Sequence, residues 1–598
     1  MKRLCTSAVI KGLQRLTMGV GAVLATALPG EAADRLTFAF GPLERSIELA
    51  DLDQWVEDGV LSDELAYYAQ FLPEDYDIEE LRRALTWRVE QDIDTINVDV
   101  VLLDRFFYTK QGEYLLNIAA DFIRTEGRRS DLRALRGAIL VAVSDEQEGL
   151  TLLNTIRKFP STEMRIELDR GLGLLREINR AIYETDASIA LLERLGAPTE
   201  EISEVQQARL RSLANQARQP GRYQVERQSL PNAPIQTDIY LPTLQGQRQR
   251  NRPTVIISHG LGNDRTSYAY LGEHLASHGF VVLSVDHPGS NAEQINALLV
   301  GRSAAVVDNE EFIERPQQIS ALLNYLEREA TQYGSLINFA QVGLVGQSFG
   351  GYTALALAGA SLDFEVLRES CPPSSLSLNV SLLLQCQASQ LAEPSETTLS
   401  LQDGRIRAAI AINPITSVLF GEESMGQVTT PTMIVSSGAD TVAPALQEQL
   451  VPFTWLTQPE RYLLLMRQGT HFSTIAVTGN EAFDLPDEII GPDPALARDY
   501  LEATSLAFLT QQLSGDISYE ALLTAAGIAQ LNQETLQLTL VQSLTGPTLV
   551  DQLGRPPRSA TDSIESPEAV PEPEAVEVLL DEPEPPTFSN PSSTPSSQ

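Results

Sequence analysis

The sequence predicts an α/β fold, in which a mostly parallel β-sheet carries helices on both faces, preceded by an all-α domain. One observation is the pentapeptide at 346–350 (GQSFG), which stands between an apolar run and a helix-like stretch. A second is the helical periodicity from Asp34 to about Ala197. A third is a set of short apolar runs separated by helical stretches, the pattern of buried parallel strands. These runs lie at 254–258, 281–285, 342–345, 406–412, 433–436 and 462–466.

Residues 1–33 have the pattern of an export signal peptide. Basic residues precede an apolar run at 16–28, and the small residues Ala32 and Ala33 offer a cleavage site. An uncleaved membrane anchor is the alternative, but the run is shorter than the ~20 residues that a spanning helix needs. We therefore expect an exported protein, periplasmic or secreted, without a transmembrane segment once the signal is removed.

The sequence pattern of residues 34–200 predicts the all-α domain. Apolar residues recur at intervals of three and four, for example at Leu52, Trp55 and Val56. The acidic stretch after Pro73 suits the positive end of a helix dipole. The stretch contains no evident nucleophile, metal-ligand cluster or glycine-rich phosphate loop, so we expect the chemistry to lie further along the chain.

The sequence pattern of residues 221–514 predicts the α/β domain. The stretches 222–227 and 235–241 alternate in polarity as the two strands of a hairpin would, and the buried strands follow. An insertion at 361–403 interrupts the order of elements, and we interpret it as lid-like. An ordinary surface excursion is the alternative.

The cysteines agree with export. Cys5 lies inside the signal, which leaves Cys371 and Cys386 as an even pair within the insertion. An even pair in an exported chain indicates a disulfide bond. Two unrelated buried thiols are the alternative.

The C-terminal residues divide into two parts. Residues 515–554 predict a helical segment, whereas 555–598 are rich in Pro, Glu and Ser and nearly free of aromatic residues. Such a composition cannot bury enough apolar surface to offset its ordering entropy, so we expect a disordered acidic tail. The whole chain has 43 basic and 80 acidic residues, a formal charge of −37. This charge argues against nucleic acid or an anionic lipid surface as a partner.

Ser348 is the predicted nucleophile. A strand, the motif Gly-x-Ser-x-Gly and a helix form a nucleophile elbow, in which a strained turn exposes the serine hydroxyl above the sheet edge. The glycines are needed because the turn is too tight for side chains beside the serine. Lysine occurs only at positions 2, 11, 110 and 158, which argues against a serine–lysine dyad.

His471 and Asp440 are the predicted partners of Ser348. In folds with this elbow the chain order is serine, acid, histidine, each after a successive strand. His471 is the histidine downstream of Ser348, and Asp440 ends the strand before it. The acid orients the imidazole and stabilises its charged form. Glu422 and Glu423 are weaker rivals for the acid.

The oxyanion hole is predicted from two backbone amides. One is the amide after the nucleophile, Phe349, and the other comes from the glycine-containing loop after the strand at 254–258. We assign the second amide to Leu261, with Gly262 close behind.

The other histidines are possible pocket or structural residues. His259 supports the predicted oxyanion loop, and His287 follows a strand end on the active-site edge, so both could line the pocket with Gly262. His274 and His278 are four residues apart on a helix and could bind a metal. No third ligand is evident, so we predict a solvated helix face and no metal site.

Residues 254–290 and 342–352 resemble the α/β-hydrolase group of plasma-type platelet-activating factor acetylhydrolases, dienelactone hydrolases and bacterial cutinase-like esterases. The likeness rests on the loop HGLG, the strand exit DHPG and the motif GQSFGG. The acetylhydrolases place their acid after an earlier strand than that of Asp440. Residues 34 to about 170 resemble an uncharacterised helical domain found ahead of such hydrolases in cyanobacteria, and the likeness rests on ADRL at 33–36, FGPLERS at 40–46 and GLTLL at 149–153.

The resemblance implies a serine carboxylic ester hydrolase that uses no metal or organic cofactor and acts on lipid-like or short-acyl esters. Two alternatives stay open. One is a catalytically silent cell-envelope binding or scaffold protein on a hydrolase fold. The other is the same triad acting on a polyester or a peptide bond.

Overall fold

The structure is a computed structural model that describes residues 32–557, except 41–42, 70–77, 89–99, 128–131, 200, 304, 329–332, 372–376, 392–394 and 480–486. The predicted signal and nearly all of the predicted tail therefore lie outside the described residues. Within the described part of the chain, no helix combines the length and the apolar composition needed to cross a bilayer.

A ten-stranded sheet organises the α/β domain and confirms that part of the predicted fold class. Its six central strands are parallel, in the order β15-β14-β13-β10-β8-β9, and antiparallel strands flank them on both sides. The strands are β5 (Gln224–Ser229), β6 (Thr237–Leu244), β7 (Gln247–Arg248), β8 (Arg252–Ser258), β9 (Val281–Val285), β10 (Ile337–Gln347), β13 (Ile406–Ile412), β14 (Thr432–Ser437), β15 (Arg461–Met466) and β16 (Leu538–Val541).

Helices cover both faces of this sheet, which is why its central strands are largely apolar and buried over most of their length. Every residue of β9 and β14 is buried. The predicted hairpin is formed by β5 and β6, which pair antiparallel. The α-helices of this domain are Glu204–Arg218, Ala269–Ser277, Ala292–Leu299, Glu311–Arg328, Phe349–Ala358, Phe364–Ser370, Leu382–Gln385, Gly421–Gly426, Val451–Trp455, Asp487–Ile490, Pro494–Ser514, Ala525–Leu531 and Gly546–Leu553.

The N-terminal domain is not all-α, so that prediction is wrong. It contains a four-stranded sheet of order β2-β1-β4-β3, made of β1 (Arg35–Phe40), β2 (Leu43–Glu48), β3 (Ile123–Thr125) and β4 (Glu163–Glu167). The parallel partner of β1 is β4, more than a hundred residues away, so no local pattern reveals the pairing. Its helices are Leu49–Asp58, Asp63–Ala69, Ile78–Thr86, Val100–Phe107, Lys110–Phe122, Leu132–Val143, Leu152–Arg157 and Leu168–Leu195.

The C-terminal segment 515–554 is not purely helical, which corrects a second prediction. Its strand β16 pairs antiparallel with β15 and forms one edge of the large sheet. Four residues are too few for a clear alternation of polarity, and the strand is defined by its partner more than by its own sequence.

The insertion at 361–403 has its own small sheet. In it, β11 (Leu362–Asp363) pairs antiparallel with β12 (Thr398–Leu399). Cys371 and Cys386 form the predicted disulfide, with their Cα atoms 5.5 Å apart.

Candidate active site

Ser348 occupies a strained turn between β10 and the helix Phe349–Ala358. Its φ is 54° and its ψ is −113°, a conformation that residues with a side chain rarely adopt. The turn is held from both sides, because the Ser348 amide donates to Ile412 O at 2.8 Å and its carbonyl accepts from the Tyr352 amide at 3.0 Å. The strain therefore persists because the neighbouring strand and helix fix the backbone.

The two motif glycines allow this turn by their lack of a side chain. A β-carbon on Gly346 would lie 1.9 Å from Gly350 O, and one on Gly350 would lie 2.1 Å from Ser258 O. Both positions are closed to any larger residue unless the backbone moves. The elbow is thus packed directly against the strand that carries the predicted oxyanion loop.

His471 and Asp440 are in direct contact. His471 Nδ1 lies 2.7 Å from Asp440 Oδ2, and the Asp440 side chain is fully buried. The other carboxylate oxygen accepts from the amides of Val442 and Ala443, at 2.9 and 2.7 Å. With Nδ1 donating to the carboxylate, Nε2 of His471 is the free basic nitrogen.

Ser348 and His471 do not yet share a hydrogen bond. The hydrogen bonds among the described residues do not include one between Ser348 Oγ and His471 Nε2. Catalytic hydrogen bonds are often long in ligand-free structures and tighten when substrate binds. Both side chains are nearly buried, with exposures of 7% for Ser348 and 5% for His471.

The predicted oxyanion loop, residues 259–262, lies beside the elbow, since a β-carbon on Gly350 would lie 2.1 Å from Ser258 O and 2.8 Å from His259 O. Among the described residues, neither the Leu261 amide nor the Phe349 amide donates a hydrogen bond. Phe349 is the first residue of its helix, where amides have no partner within the helix. The Gly262 amide donates to Ser290 O at 2.9 Å and is therefore occupied.

His259 and His287 are buried, which favours the structural role that the sequence left open for both over a place in the pocket wall. They are 1% and 0% exposed, and burial lowers the pKa of each imidazole, so both are neutral at neutral pH. His259 Nε2 accepts from the His287 amide at 3.0 Å, and its Nδ1 lies 2.7 Å from Gly260 O. His287 bonds to Ser258 Oγ at 2.9 Å and to Gln318 Oε1 at 2.6 Å. These two histidines support the oxyanion loop from behind.

The rival acids and the metal hypothesis find no support in the geometry. Glu422 and Glu423 are exposed on the helix Gly421–Gly426. His274 is buried, so the predicted solvated helix face is wrong for that residue. Among the described residues, no group of three or more His, Cys, Asp or Glu side chains could hold a metal ion.

Three residues around the site were missed by the sequence-based interpretation. Gln347 Nε2 and Asn413 Nδ2 both donate to His471 O, at 3.3 and 3.4 Å, and so hold the histidine loop. Arg315 is fully buried and donates to His259 O at 2.9 Å. Gln347 lies inside the serine motif and Asn413 at a strand exit, so their positions were visible in the sequence, but Arg315 gave no signal.

Comparisons with known proteins match two parts of the chain. Residues 32–167 match the family model "Alpha/beta hydrolase of unknown function (DUF1400)", and residues 235–321 match "Platelet-activating factor acetylhydrolase, isoform II". The predicted resemblance is therefore confirmed in both regions.

Individual relatives agree with the second match at low identity. A platelet-activating factor acetylhydrolase from Cavia porcellus is 24% identical over 306 residues, covering 45% of this chain and 59% of the relative. Cutinase 1 from Thermobifida cellulosilytica is 25% identical over 244 residues, covering 40% of this chain and 63% of the relative. A platelet-activating factor acetylhydrolase from Canis lupus familiaris is 28% identical over 137 residues, covering 17% and 31%. The chain thus aligns with less than two thirds of these relatives.

Proposed function

We propose that the protein is a serine carboxylic ester hydrolase in which Ser348 is the nucleophile, His471 the base and Asp440 the acid that orients it. The observation that carries this proposal is the strained Ser348 at the end of β10, together with the His471–Asp440 hydrogen bond of 2.7 Å beyond the neighbouring strands. Strain of this kind is concentrated at functional sites.

The proposed reaction follows from these positions. Ser348 Oγ attacks the ester carbonyl carbon while its proton passes to His471 Nε2. The amides of Leu261 and Phe349 then hold the negatively charged oxygen of the tetrahedral intermediate. The intermediate collapses, the alkoxide leaves with the proton from His471, and an acyl-enzyme remains. Water, activated by His471, releases the acid and restores Ser348. Every group in this scheme comes from the chain, so we include no metal or organic cofactor.

A small-molecule ester, lipid-like or with a short acyl group, is the favoured substrate. The support is the match to acetylhydrolases, whose printed name refers to platelet-activating factor. A polyester is the second candidate, supported by the cutinases among the relatives. The formal charge of −37 favours neutral or zwitterionic substrates over anionic ones.

Export from the cytosol is part of the proposal. The disulfide Cys371–Cys386 supports it, because such bonds persist in oxidising compartments. The pattern of residues 1–33 supports it independently. We expect mature chains purified from the producing cell to begin near Asp34, which N-terminal sequencing would test.

The test of the activity compares wild-type protein with Ser348→Ala on p-nitrophenyl esters of increasing acyl length. We expect turnover by the wild type and none by the variant, with a peak in kcat/KM that identifies the acyl preference. A fluorophosphonate probe should label the wild type and leave the variant unlabelled. A folded wild type that neither turns over esters nor reacts with the probe would favour the silent scaffold instead.

A further inference from the structure

A buried arginine behind the elbow contacts both halves of the predicted oxyanion hole. Arg315 lies on the helix Glu311–Arg328, and its side chain is 0% exposed. Burial lowers its pKa to about 10, so the guanidinium is still charged at neutral pH. The carboxylate of Glu311 lies 3.6 Å away and is also buried. A charged pair in this place needs an explanation, because burying it costs several kcal/mol.

On one side, Arg315 fixes the oxyanion loop at both of its ends. Its Nη1 donates to His259 O at 2.9 Å, at the start of the loop. Its Nε donates to Ser290 Oγ at 2.9 Å, and Ser290 O in turn accepts the Gly262 amide at 2.9 Å, at the end of the loop. Leu261, whose amide is the proposed donor, stands between these two fixed points.

On the other side, the same guanidinium lies against the residue after the nucleophile. Its central carbon is 4.4 Å from the centroid of the Phe349 ring, within the range of a cation–π contact. Phe349 supplies the second proposed oxyanion donor. One rigid planar group is therefore in contact with the segments that carry both amides.

We propose that Arg315 is a positioning residue that sets the relative placement of the Leu261 and Phe349 amides, and thereby the quality of the oxyanion hole. The inference rests on the proposed function. Glu311 keeps the network in register, because its carboxylate also accepts from Ser290 Oγ at 2.6 Å. An apolar residue of similar volume could fill the same space, but it could not donate to His259 O and Ser290 Oγ.

The experiment uses the full-length protein with Arg315→Lys and Arg315→Met. We measure kcat and KM for p-nitrophenyl acetate and the inhibition constant of a trifluoromethyl ketone, whose adduct with the serine carries an oxyanion. Loss of one oxyanion donor costs about 10²–10³ in rate, so we expect kcat to fall by about 10–100-fold in Arg315→Met. KM should stay within about threefold, because the ester carbonyl binds weakly before attack. The ketone should lose affinity by a factor similar to that of kcat, and Arg315→Lys should lie between.

Two further variants keep the result interpretable. Arg405→Met removes another arginine with a carboxylate partner, Asp403 at 2.6 Å, that contacts neither amide segment, and it should leave kcat unchanged. If Arg315→Met fails to fold, Ser290→Ala removes one acceptor of Arg315 and should lower kcat by about tenfold.

The inference is overturned if folded Arg315→Lys or Ser290→Ala keeps wild-type kcat and ketone affinity. It is also overturned if only KM changes. Failure of the proposed function gives a different result, since the wild type itself would then show no turnover and no labelling by fluorophosphonate.

Discussion

At the scale of single residues, the site is defined by backbone conformation as much as by side-chain chemistry. The non-glycine residues with positive φ among the described part of the chain are Asn232, Gln245, Asn251, Ser348 and Asn413. Asparagine tolerates this region because its short polar side chain bonds locally, whereas serine has less reason to occupy it. Ser348 is therefore held there by its surroundings, and the glycines of the elbow make those surroundings possible.

Gly350→Ala should disturb the elbow, because the added β-carbon has no room there. The added β-carbon would lie 2.1 Å from Ser258 O, so either the helix Phe349–Ala358 or the end of β8 must shift. We expect kcat to fall by more than about tenfold and the free energy of unfolding to fall by about 1–3 kcal/mol. Gly404→Ala is the matched control, since nothing lies within 4 Å of its added carbon. Equal effects in the two variants, by urea denaturation and ester turnover, would contradict this account.

Asp440→Asn should test the role of the acid without changing its size. An amide cannot stabilise the imidazolium, and it favours the wrong tautomer of His471, so we expect kcat to fall by about 10³–10⁴. Folding should be retained, because the Val442 and Ala443 amides can still donate to an amide oxygen. Glu422→Gln, at the rival acid, should retain wild-type turnover. The reverse pattern would transfer the role to Glu422.

At the scale of elements, one buried carboxylate, that of Glu448, is among the groups that bind the insertion at 361–403 to the α/β domain. Glu448 Oε1 accepts from Asn379 Nδ2 at 2.5 Å and from Gln385 Nε2 at 2.9 Å, both in the insertion. Its Oε2 accepts from the amides of Thr416 and Ser417, at 2.7 and 3.0 Å, beyond β13. This part of the insertion is thus anchored beside the loop that carries Asp440, where the Ser381 amide donates to Val442 O at 2.9 Å.

Glu448→Gln should loosen the insertion. The amide group of glutamine would place N–H groups against N–H donors that the carboxylate now satisfies, so we expect a loss of about 2–4 kcal/mol in the free energy of unfolding. Limited proteolysis within the insertion should also become faster. Glu460→Gln, at an exposed glutamate, is the control and should change neither quantity. Unchanged proteolysis in Glu448→Gln would show that the anchor lies elsewhere.

A buried histidine, His274, and a partly buried glutamate, Glu502, face each other on two packed helices and should give opposite pH dependences. Burial lowers the pKa of His274 to about 4, aided by His278, and burial raises the pKa of Glu502 to about 7, with Asp499 adding to the rise and Arg498 opposing it. His274 Nδ1 and Glu502 Oε2 are 3.9 Å apart.

The signs follow from which state binds more protons. Below pH 6.5 His274 is protonated in the unfolded chain but neutral in the native state. The contribution of His274 to the free energy of unfolding is therefore lost as pH falls towards 4. Glu502 is protonated in the native state, so its contribution is complete below pH 4.5 and is lost as pH rises through 7. Between pH 4.5 and 6.5 the two groups change the free energy of unfolding in opposite directions. Each contributes a slope of up to ~1.4 kcal/mol per pH unit.

Single variants should separate the pH dependences contributed by His274 and Glu502. Relative to wild type, His274→Gln should make the free energy of unfolding decrease more steeply as pH rises from 4.5 to 6.5. Glu502→Gln should make it increase more steeply over the same range. Denaturation by urea at several pH values measures both. Parallel curves for the wild type and both variants would contradict the assignment.

The elements that the sequence predicted are those whose signal is local. The runs that became β8, β9 and β14 are largely apolar, and nearly all their residues are buried, because helices cover both faces. The missed elements depend on distant partners. The pairing of β1 with β4 and the addition of β16 to β15 are decided by chain segments far apart in sequence. Arg315 was invisible for the same reason, because nothing in its helix indicates which loop it supports.

At the scale of the whole molecule, the N-terminal domain contacts several segments of the α/β domain and its insertion. Arg105 Nη1 donates to Leu299 O at 3.2 Å, on the helix after β9. Glu193 pairs with Arg467 at 2.6 Å, directly after β15. Tyr114 contacts Ser377 in the insertion, and its hydroxyl donates to Ser377 O at 2.9 Å while accepting from the Ser377 amide at 2.6 Å. The domain therefore adjoins the helix after β9, the end of β15 and the insertion.

Tyr114→Phe should change which esters reach Ser348. Loss of both hydrogen bonds to Ser377 removes about 1–3 kcal/mol of contact between the N-terminal domain and the insertion, which should widen the approach to the nucleophile. We expect kcat/KM for p-nitrophenyl decanoate to rise several-fold, roughly 1 kcal/mol in transition-state free energy. The value for p-nitrophenyl acetate should stay within about twofold, because a small ester does not need the wider approach. Tyr183→Phe, at a tyrosine that is 65% exposed on the helix Leu168–Leu195, is the control and should leave both values unchanged. An equal effect of Tyr114→Phe on the two esters would mean that the contact stabilises the protein without selecting its substrate.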